Sequence, residues 1–284
     1  MSEWIEEPDV VRGDFAVRLK VERMLYESES AHQKMVLFEN GTFGRVLVLD
    51  GVIQTTTADE FIYHEMLAHV PLFAHPAPRR VLIVGGGDGG CLEEVLKHAR
   101  VEHVTMVELD ASVIEFARRH LGEICGEAFD DPRLELVIDD GARYVERREA
   151  AFDVVIVDST DPIGPGRVLF QRPFYAACRR CLADGGVMVT QNAISFVYPE
   201  WVRAPFRAMR QVFPDVACYT ANVPSFFGGA VPFGWASEDA SLRRVDLETL
   251  ETRQRAAGFA TRYYAPDVHL GAFALPPYLR EWTG

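Results

Sequence analysis

Two carboxylates stand three positions apart in DSTDPIGPGR, a stretch that covers residues 158–167 and directly follows the apolar run DVVIV. An unpaired charge beside a buried strand is costly, so Asp158 and Asp161 need a cationic partner. Such carboxylates can hold an ammonium group in place or accept its proton as a general base. Since Asp-Pro favours turns, a structural interpretation also stays open, with Asp158 as a helix cap and Asp161 as a turn residue.

Three more acids follow apolar runs in the same way. Asp88 lies in GGGDGG, residues 85–90, Glu108 closes the run VTMVE, and Asp140 follows LELVI just before Gly141. If parallel strands carry all these acids to one crevice, the carboxylates repel one another unless a cation lies among them. The pattern therefore predicts a crevice for a positively charged ligand.

The GGGDGG loop has the spacing G-x-G-x-x-G after a predicted strand and before a predicted helix, which is typical of nucleotide and nucleoside sites. Asp88 would repel the pyrophosphate of a dinucleotide. Glu108 stands where an acid commonly binds ribose hydroxyls, although a solvated acid at a strand end would look the same. A sulfonium nucleoside fits this pattern. Decarboxylated S-adenosylmethionine fits better than S-adenosylmethionine, whose carboxylate Asp88 would repel.

Alternating strands and helices must position these residues. After HPAPRR, apolar runs of strand length alternate with helical patterns, which predicts a parallel, doubly wound α/β sheet that binds ligands beyond the carboxyl ends of its strands. Before it, short alternating runs and the Asp50-Gly51 turn predict a small antiparallel sheet, and DEFIYHEMLAHVPLF predicts a helix over 59–73. We therefore expect an N-terminal β-strand domain, 1–58, and a Rossmann-like catalytic domain, 59–284. AVPFGWAS and TRYYAPDVHLGAFALP are expected to supply the closing strands.

Composition narrows the class of protein. The 284 residues are 48% hydrophobic with a formal net charge of -13, which predicts a globular chain that favours cationic ligands and opposes broad contact with nucleic-acid phosphates. The first residues do not show the basic segment followed by an apolar segment that is typical of a secretory signal peptide. No apolar run approaches the roughly 18 residues of a membrane span. We therefore expect a cytoplasmic protein. Its five cysteines do not resemble a disulfide framework.

Two further motifs are interpreted as structural rather than metal-binding. Cys178 and Cys181 lie in FYAACRRCL, whose apolar spacing predicts a helix packed on the core, and no second cysteine pair completes a tetrahedral site. His64 and His69 are five positions apart, so on a helix their side chains diverge by about 140°. Neither pair is therefore a predicted metal site.

Longer stretches resemble a known family. LVLDGVIQTT, DEFIYHEM, VLIVGGGDGG, DDPRLELVIDDG, DSTDPIGPG and TRYYAPDVHLGAFALPPYL resemble the polyamine aminopropyltransferases, spermidine synthases among them, and the resemblance covers nearly the whole chain. It implies a methyltransferase-like Rossmann domain, a small N-terminal antiparallel β-domain, and a homodimer or homotetramer built partly from that β-domain. It also implies transfer of the aminopropyl group of decarboxylated S-adenosylmethionine to putrescine, giving spermidine and 5'-methylthioadenosine. No metal and no permanently bound cofactor are implied.

The resemblance also assigns site residues. Asp88 would contact the amine of the donor's aminopropyl arm, and Trp4 would form a wall of the diamine site. Asp158 would accept the proton of the attacking amine, while Tyr63 and Asp161 orient its nitrogen. The positions that hold the nucleoside in the family are Gln33, Glu108, Asp140, Gly141 and Pro165, and those around the acceptor and the reacting arm are Tyr63, His64, Asp158, Asp161 and Gln191.

Two departures from the family pattern stand out. Phe226, in VPSFFGG, stands where relatives have a tyrosine that contacts the diamine, so one hydroxyl is missing from the predicted acceptor site. Glu93 and Arg167 stand where relatives commonly have the opposite charges. We expect these two side chains to form an ion pair of reversed polarity between the first and fourth strand-end loops.

Other functions are compatible with the same residues. The loss of a hydroxyl at Phe226 keeps other amine acceptors open, such as cadaverine or agmatine. Methyl transfer from S-adenosylmethionine would use the same kind of sheet. A polyamine or nucleoside sensor would keep the crevice and lack turnover, although the predicted base Asp158 and its neighbour Tyr63 are both present.

Overall fold

The described part of the chain contains three β-sheets. A computed structural model describes residues 3–9, 11, 13–30, 33–227 and 229–284, with the backbone alone at Glu3 and Pro165. Within these ranges the strands form a two-stranded, a four-stranded and a seven-stranded sheet. The helices pack mainly on the last of these.

The two small sheets come first in the chain, and both are antiparallel. Asp50 and Gly51 have φ values of 50° and 85°, the conformation of a two-residue hairpin turn. The predicted antiparallel strands are therefore confirmed, but they are divided between two sheets, and the first strand was not predicted. The paired strands of the two-stranded sheet are β1 (Glu3–Pro8) and β2 (Ala16–Val21), and those of the four-stranded sheet are β3 (Arg23–Glu29), β4 (Lys34–Asn40), β5 (Gly44–Leu49) and β6 (Val52–Thr56).

The seven-stranded sheet confirms the predicted doubly wound α/β fold. Its strands are β7 (Arg80–Gly85), β8 (His103–Glu108), β9 (Leu134–Ile138), β10 (Phe152–Asp158), β11 (Leu182–Gln191), β12 (Asp215–Ala221) and β13 (Val231–Ser237). Their order is β12-β13-β11-β10-β7-β8-β9, and β13 runs in the direction opposite to the other six. Because strand order reverses between β7 and β10, a crevice opens beyond the ends of those two strands.

Helices cover both faces of this sheet, which explains why its strands are apolar throughout. Along β7, Val81 and Ile83 belong to one hydrophobic cluster, and Leu82 and Val84 belong to another on the opposite face. The helices are α1 (Glu60–Ala74), α2 (Gly90–Leu96), α3 (Ala111–His120), α4 (Gly122–Cys125), α5 (Gly141–Glu146), α6 (Arg172–Cys181), α7 (Pro199–Arg210), α8 (Leu247–Ala257), α9 (Pro266–Ala272) and α10 (Pro277–Thr283). In the part of the chain that the structure describes, none of them is both long and apolar enough to cross a membrane.

One prediction about the closing strands is wrong. AVPFGWAS contains β13, as expected, but TRYYAPDVHLGAFALP contains α9, and the other closing strand is β12. The helix begins at Pro266, a residue suited to a first helical position. The backbone N–H groups of residues 262–264 donate to the carboxylate of Glu65 at 2.7 to 2.8 Å, so they are not available for a strand ladder.

The structural interpretation of the cysteine pair holds. Cys178 and Cys181 lie in α6 with no exposed surface and belong to the hydrophobic cluster between that helix and the sheet. All five cysteines are buried free thiols. They therefore contribute to packing.

Candidate active site

A cavity of about 400 Å³ lies at the carboxyl ends of β7, β8 and β10, where the strand order reverses. Residues of the N-terminal sheets, including Glu7 and Ile53, form another part of its wall. The cavity brings together most of the predicted site residues, from both halves of the chain. Those that line it are Gln33, Tyr63, His64, Asp88, Glu108, Asp140, Gly141, Asp158, Asp161, Gln191 and Phe226.

The glycine loop packs directly on the end of β10. Gly86 N donates to the carbonyl oxygen of Asp158 at 2.8 Å. Gly85, at φ 87°, has no room for a Cβ, which would collide with the same oxygen. The loop that carries Asp88 is therefore locked against the strand end that carries Asp158, and this close approach is why the two acids meet.

Asp158 is held by a tyrosine. The hydroxyl of Tyr63, in α1, donates to Asp158 Oδ1 at 2.7 Å. Burial and the nearby charge of Asp88 raise the pKa of Asp158 to about 6, although His64 and the Tyr63 hydrogen bond act in the opposite direction. Burial and the charge of Asp158 raise the pKa of Tyr63 well above its ordinary value, so Tyr63 stays a donor. Asp158 is thus an oriented carboxylate able to take up a proton.

His64 lies between two carboxylates. Its Nδ1 is 2.7 Å from Glu60 Oε2, and its Nε2 is 3.4 Å from Asp88 Oδ2. Burial lowers the pKa of His64, but the charge of Asp88 and the hydrogen bonds to both acids outweigh it and raise the pKa well above the ordinary value. Burial in turn raises the pKa of Asp88, but the charge and hydrogen bond of His64 bring it below the ordinary value. The two carboxylates therefore favour the protonated form of His64.

Glu60 was not predicted as a site residue. Its signal in the sequence was the spacing of four from His64, which places the two side chains on one face of a helix. The family resemblance places His64 in the acceptor region and does not predict its charge. The Glu60 contact favours a positive charge on His64 within the acidic crevice.

The same acids have a spacing that a metal ion can use. Ligand atoms of His64, Asp88 and Asp158 lie within 4.8 Å of one another. In its protonated form the His64 ring has no lone pair to offer a metal, and both of its nitrogens face carboxylates. The arrangement therefore suits protons and ammonium groups better, and the expectation of a metal-free site stays a prediction. His69 faces away from this cluster and contacts His98, with Nδ1 and Nε2 3.0 Å apart.

The end of the cavity next to β8 contains the residues assigned to a nucleoside. Burial raises the pKa of Glu108 to about 7, although hydrogen bonds from backbone N–H groups oppose the shift. Asp140 Oδ1 accepts the N–H groups of residues 142 and 143 and so caps α5. Gln33 Nε2 donates to Asp110 Oδ2 at 3.3 Å. These contacts orient the three side chains along one wall.

The opposite end carries the residues assigned to an acceptor. Burial raises the pKa of Asp161 to about 6. Gln191 Nε2 donates to the carbonyl oxygen of Ser159 at 2.6 Å, and the Phe226 ring lies edge-on to Tyr63 with the ring centroids 6.0 Å apart. Because residue 226 is a phenylalanine, this wall lacks the hydroxyl that a tyrosine at the same position would supply.

An acid from the first strand also reaches this end, and it was not predicted. Glu7 Oε2 accepts the N–H of Ile53 at 3.1 Å. Burial raises the pKa of Glu7 to about 7; the Ile53 hydrogen bond opposes this shift, and the charge of Asp161 adds to it. The acidity of WIEE was visible in the sequence, but only the fold shows which of its acids faces the cavity.

One predicted wall residue, Trp4, is not placed there. Trp4 is 49% exposed and is not among the residues that line the cavity. Its neighbour Glu7, three positions along the same strand, points to the opposite face and lines the cavity instead. The side chain of Pro165 lies outside the described residues.

The expected ion pair between Glu93 and Arg167 is not formed. Lys97 Nζ contacts Glu93 Oε2 at 2.8 Å, one helical turn away, and it also contacts Glu94. Arg167 is exposed at the end of the strand-end loop. A lysine at the i+4 position offers a nearer partner than a side chain on another loop, so the charge of Glu93 is satisfied locally.

Sequence comparisons place both segments of the chain among known proteins. Residues 60–246 match the spermine/spermidine synthase domain, and residues 3–57 match the spermidine synthase tetramerisation domain. Polyamine aminopropyltransferase 1 of Pseudomonas aeruginosa is 56% identical over 270 residues, which is 95% of this chain and 94% of that protein. Polyamine aminopropyltransferase of a Ruegeria species is 51% identical over 281 residues, covering 99% of both chains.

Solved structures agree with the sequence comparisons. A crystal structure of spermidine synthase in complex with the transition state analogue AdoDATO matches with a TM-score of 0.94 and 39% identity. Spermidine synthase from Thermotoga maritima matches with a TM-score of 0.91 and 38% identity. Both matches cover 99% of this chain and 94% of the other.

Proposed function

This chain belongs to the spermine/spermidine synthase family, and from that premise we propose that it moves the aminopropyl group of decarboxylated S-adenosylmethionine to putrescine, giving spermidine and 5'-methylthioadenosine. The single observation that carries this proposal beyond family membership is the half-buried pair of Tyr63 and Asp158, whose side-chain oxygens are 2.7 Å apart in an acidic cavity. That pair provides an oriented proton acceptor among charges that attract a polyamine.

The donor is proposed to lie across the glycine loop. Glu108 would accept hydrogen bonds from the ribose hydroxyls, and Gln33, Asp140, Gly141 and Pro165 would complete the nucleoside site. The carboxylate of Asp88, with its pKa below the ordinary value, would bind the primary ammonium of the aminopropyl arm. The same carboxylate would repel the carboxylate of intact S-adenosylmethionine, which supports the decarboxylated donor.

The chemistry requires a free amine. Putrescine amines have pKa values near that of lysine, about 10, and a protonated amine has no lone pair with which to attack. Asp158 is proposed to take one proton from the attacking nitrogen while Tyr63 and Asp161 orient it toward the methylene beside the sulfonium. The new C–N bond forms as the C–S bond breaks. The thioether leaves neutral and needs no acid.

The far end of the acceptor is proposed to remain an ammonium. Glu7, Asp161 and Gln191 offer oxygen atoms along the acceptor wall, and His64, already paired with Glu60, offsets part of the negative charge. The cavity thus supports binding of one cationic end and deprotonation of the other. A diamine requires both, because one amine must stay charged for binding while the other must be neutral to attack.

The proposal is tested by incubating the purified protein with decarboxylated S-adenosylmethionine and, in separate reactions, putrescine, cadaverine, agmatine or spermidine. The products are identified by mass. We expect spermidine and 5'-methylthioadenosine in equal amounts, with putrescine preferred. A parallel reaction with S-adenosylmethionine separates the methyltransferase alternative, because a methylated amine there would contradict the proposal. Binding of both ligands without any product would favour the sensor.

The pH dependence follows from the pKa of Asp158. Because the base must be ionised and its pKa in the free protein is about 6, we expect kcat/KM to fall at least tenfold per pH unit below that value, with Asp161 titrating in the same range, and to rise to a plateau above it. Tyr63→Phe removes a hydrogen bond that favours the ionised form, so the acidic limb should move to higher pH. Initial rates between pH 4.5 and 8 measure both profiles. A flat profile down to pH 4.5 would exclude Asp158 as the titrating base.

Restoring a hydroxyl at Phe226 is expected to tighten acceptor binding. A hydrogen bond to a charged group contributes about 1.5 to 3 kcal/mol, so Phe226→Tyr should lower the KM for putrescine about tenfold or more. The affinity for 5'-methylthioadenosine serves as the control, because Phe226 lies at the acceptor end. An unchanged or higher putrescine KM would show that the tyrosine hydroxyl does not reach the acceptor here.

Assembly, domain division and location are proposals as well. Residues 3–57 match a tetramerisation domain, which supports a homodimer or homotetramer assembled partly through the N-terminal sheets. The matched segments end and begin within two residues of the proposed domain boundary between residues 58 and 59. Light scattering measures the oligomer directly. A cytoplasmic location stays a prediction.

A further inference from the structure

A buried carboxylate outside the cavity joins three segments of the chain. Asp59 is 5% exposed and directly precedes α1, but its side chain does not cap that helix. Its Oδ1 accepts hydrogen bonds from Thr56 Oγ1 at 2.6 Å and Ser225 Oγ at 3.0 Å, and its Oδ2 accepts one from Ser225 N at 2.7 Å. Thr56 and Ser225 are themselves buried. Asp59 is not among the residues that line the cavity, and the proposed reaction does not use it.

Each of the three joined segments contributes to the acceptor end of the cavity. Strand β6, which ends at Thr56, contributes Gln54, and α1 contributes Tyr63 one turn after Asp59. The segment after β12 contributes Phe226, which directly follows Ser225. Asp59 therefore holds together the pieces of backbone from which the acceptor wall is built.

The position of Phe226 depends on such contacts because its backbone is irregular. Residues 222–227 form neither helix nor strand. The Phe226 ring packs against the hydrophobic cluster of the N-terminal sheets and against the central cluster, and it lies edge-on to Tyr63. Two hydrogen bonds from the preceding residue to a buried carboxylate fix where this ring can sit.

We propose that Asp59 and Ser225 are positioning residues that set the acceptor site, acting through the distance between Phe226 and Tyr63. The identity of the acceptor rests on the proposed function. Loss of the Ser225 hydroxyl leaves a buried carboxylate short of one donor, so the loop shifts to satisfy it. The nucleoside end, built on the glycine loop and β8, stays in place. The contact therefore controls the KM for the amine and not the affinity for the nucleoside.

A matched pair of variants tests this proposal. Ser225→Val and Ser225→Thr add the same bulk, but only threonine keeps the hydroxyl. We expect Ser225→Val to raise the KM for the amine acceptor about tenfold, equivalent to losing one good hydrogen bond, and Ser225→Thr to remain within about twofold of the wild type. The Kd for 5'-methylthioadenosine should change by less than about twofold in both variants, since neither touches the nucleoside end.

Two results would overturn the proposal. One is an acceptor KM in Ser225→Val equal to that of the wild type, even if its thermal unfolding midpoint falls, because a merely structural contact behaves in that way. The other is equal impairment of the valine and threonine variants. Asp59→Asn provides a second test that keeps the shape of the side chain and removes its charge; its acceptor KM should also rise, and an unchanged value counts against the proposal.

A double variant measures the coupling. If the two residues act through one contact, Ser225→Val adds little to the KM change already caused by Asp59→Asn, whereas independent residues give multiplied effects. The wild-type protein is measured in the same assay as the reference. If the wild type transfers no aminopropyl group to any amine, the proposed function fails by that result alone, before the variants are compared.

Discussion

Replacing Asp158 with asparagine is expected to lower the kcat of aminopropyl transfer by about two to four orders of magnitude, the usual contribution of a general base. The amide has the shape of the carboxylate and still accepts the Tyr63 hydrogen bond, but it cannot take a proton from the attacking amine. Binding of 5'-methylthioadenosine should be nearly retained, because Glu108 and its neighbours lie at the other end of the cavity. Single-turnover rates and calorimetric titration of the nucleoside measure the two effects.

An exposed acid provides the control for this variant. Glu102 is exposed and far from the cavity lining, so Glu102→Gln removes the same unit of charge from the protein without touching the site. Its kcat should match the wild type. Full activity of Asp158→Asn would remove Asp158 as the base and leave the contact between Tyr63 and Asp158 with a structural role.

The second large effect is expected at Asp88. Asp88→Asn removes the charge proposed to pair with the donor ammonium, and truncating one partner of a buried charge pair costs about 2 to 5 kcal/mol. We therefore expect kcat/KM for decarboxylated S-adenosylmethionine to fall about thirtyfold or more, since each 1.4 kcal/mol is a factor of ten. Initial rates measured at varied donor concentration and saturating putrescine give this change in kcat/KM.

The product gives the internal comparison for Asp88. 5'-Methylthioadenosine has no ammonium, so its affinity should change far less than that of the donor. The variant should also discriminate less against S-adenosylmethionine as a competitive ligand, because the repulsion of its carboxylate is reduced. Equal losses of affinity for donor and product would show instead that Asp88 only shapes the glycine loop, whose Gly90 N donates to Asp88 Oδ1.

Much of the fold could be predicted because its signals are local. Buried parallel strands are apolar throughout, and the hairpin at Asp50 and Gly51 follows from a two-residue motif with positive φ angles. The strand ends are therefore recognisable, and the topology of parallel strands brings their acids to one edge. Asp88, Glu108, Asp140 and Asp158 were grouped correctly on that basis.

The errors and omissions have a different origin. The strand expected in TRYYAPDVHLGAFALP is a loop and a helix, because the carboxylate of Glu65, nearly two hundred residues earlier, binds its backbone N–H groups. Glu93 pairs with Lys97 rather than Arg167 because proximity along a helix favours the local partner. Trp4 and Glu7 lie on opposite faces of one strand, and which face meets the cavity depends on how the N-terminal sheets dock.

The α/β fold, the family and the set of acids at the strand ends follow from the sequence, since apolar period, glycine spacing and motif order are all encoded along the chain. The proton affinity of each of those acids depends on the folded arrangement around it. Asp158 meets its tyrosine across 95 positions of sequence. The glycine loop brings Asp88 to His64, and that contact, together with Glu60, raises the pKa of His64. Proton affinity depends on burial and on the distances between charges, and folding alone sets both.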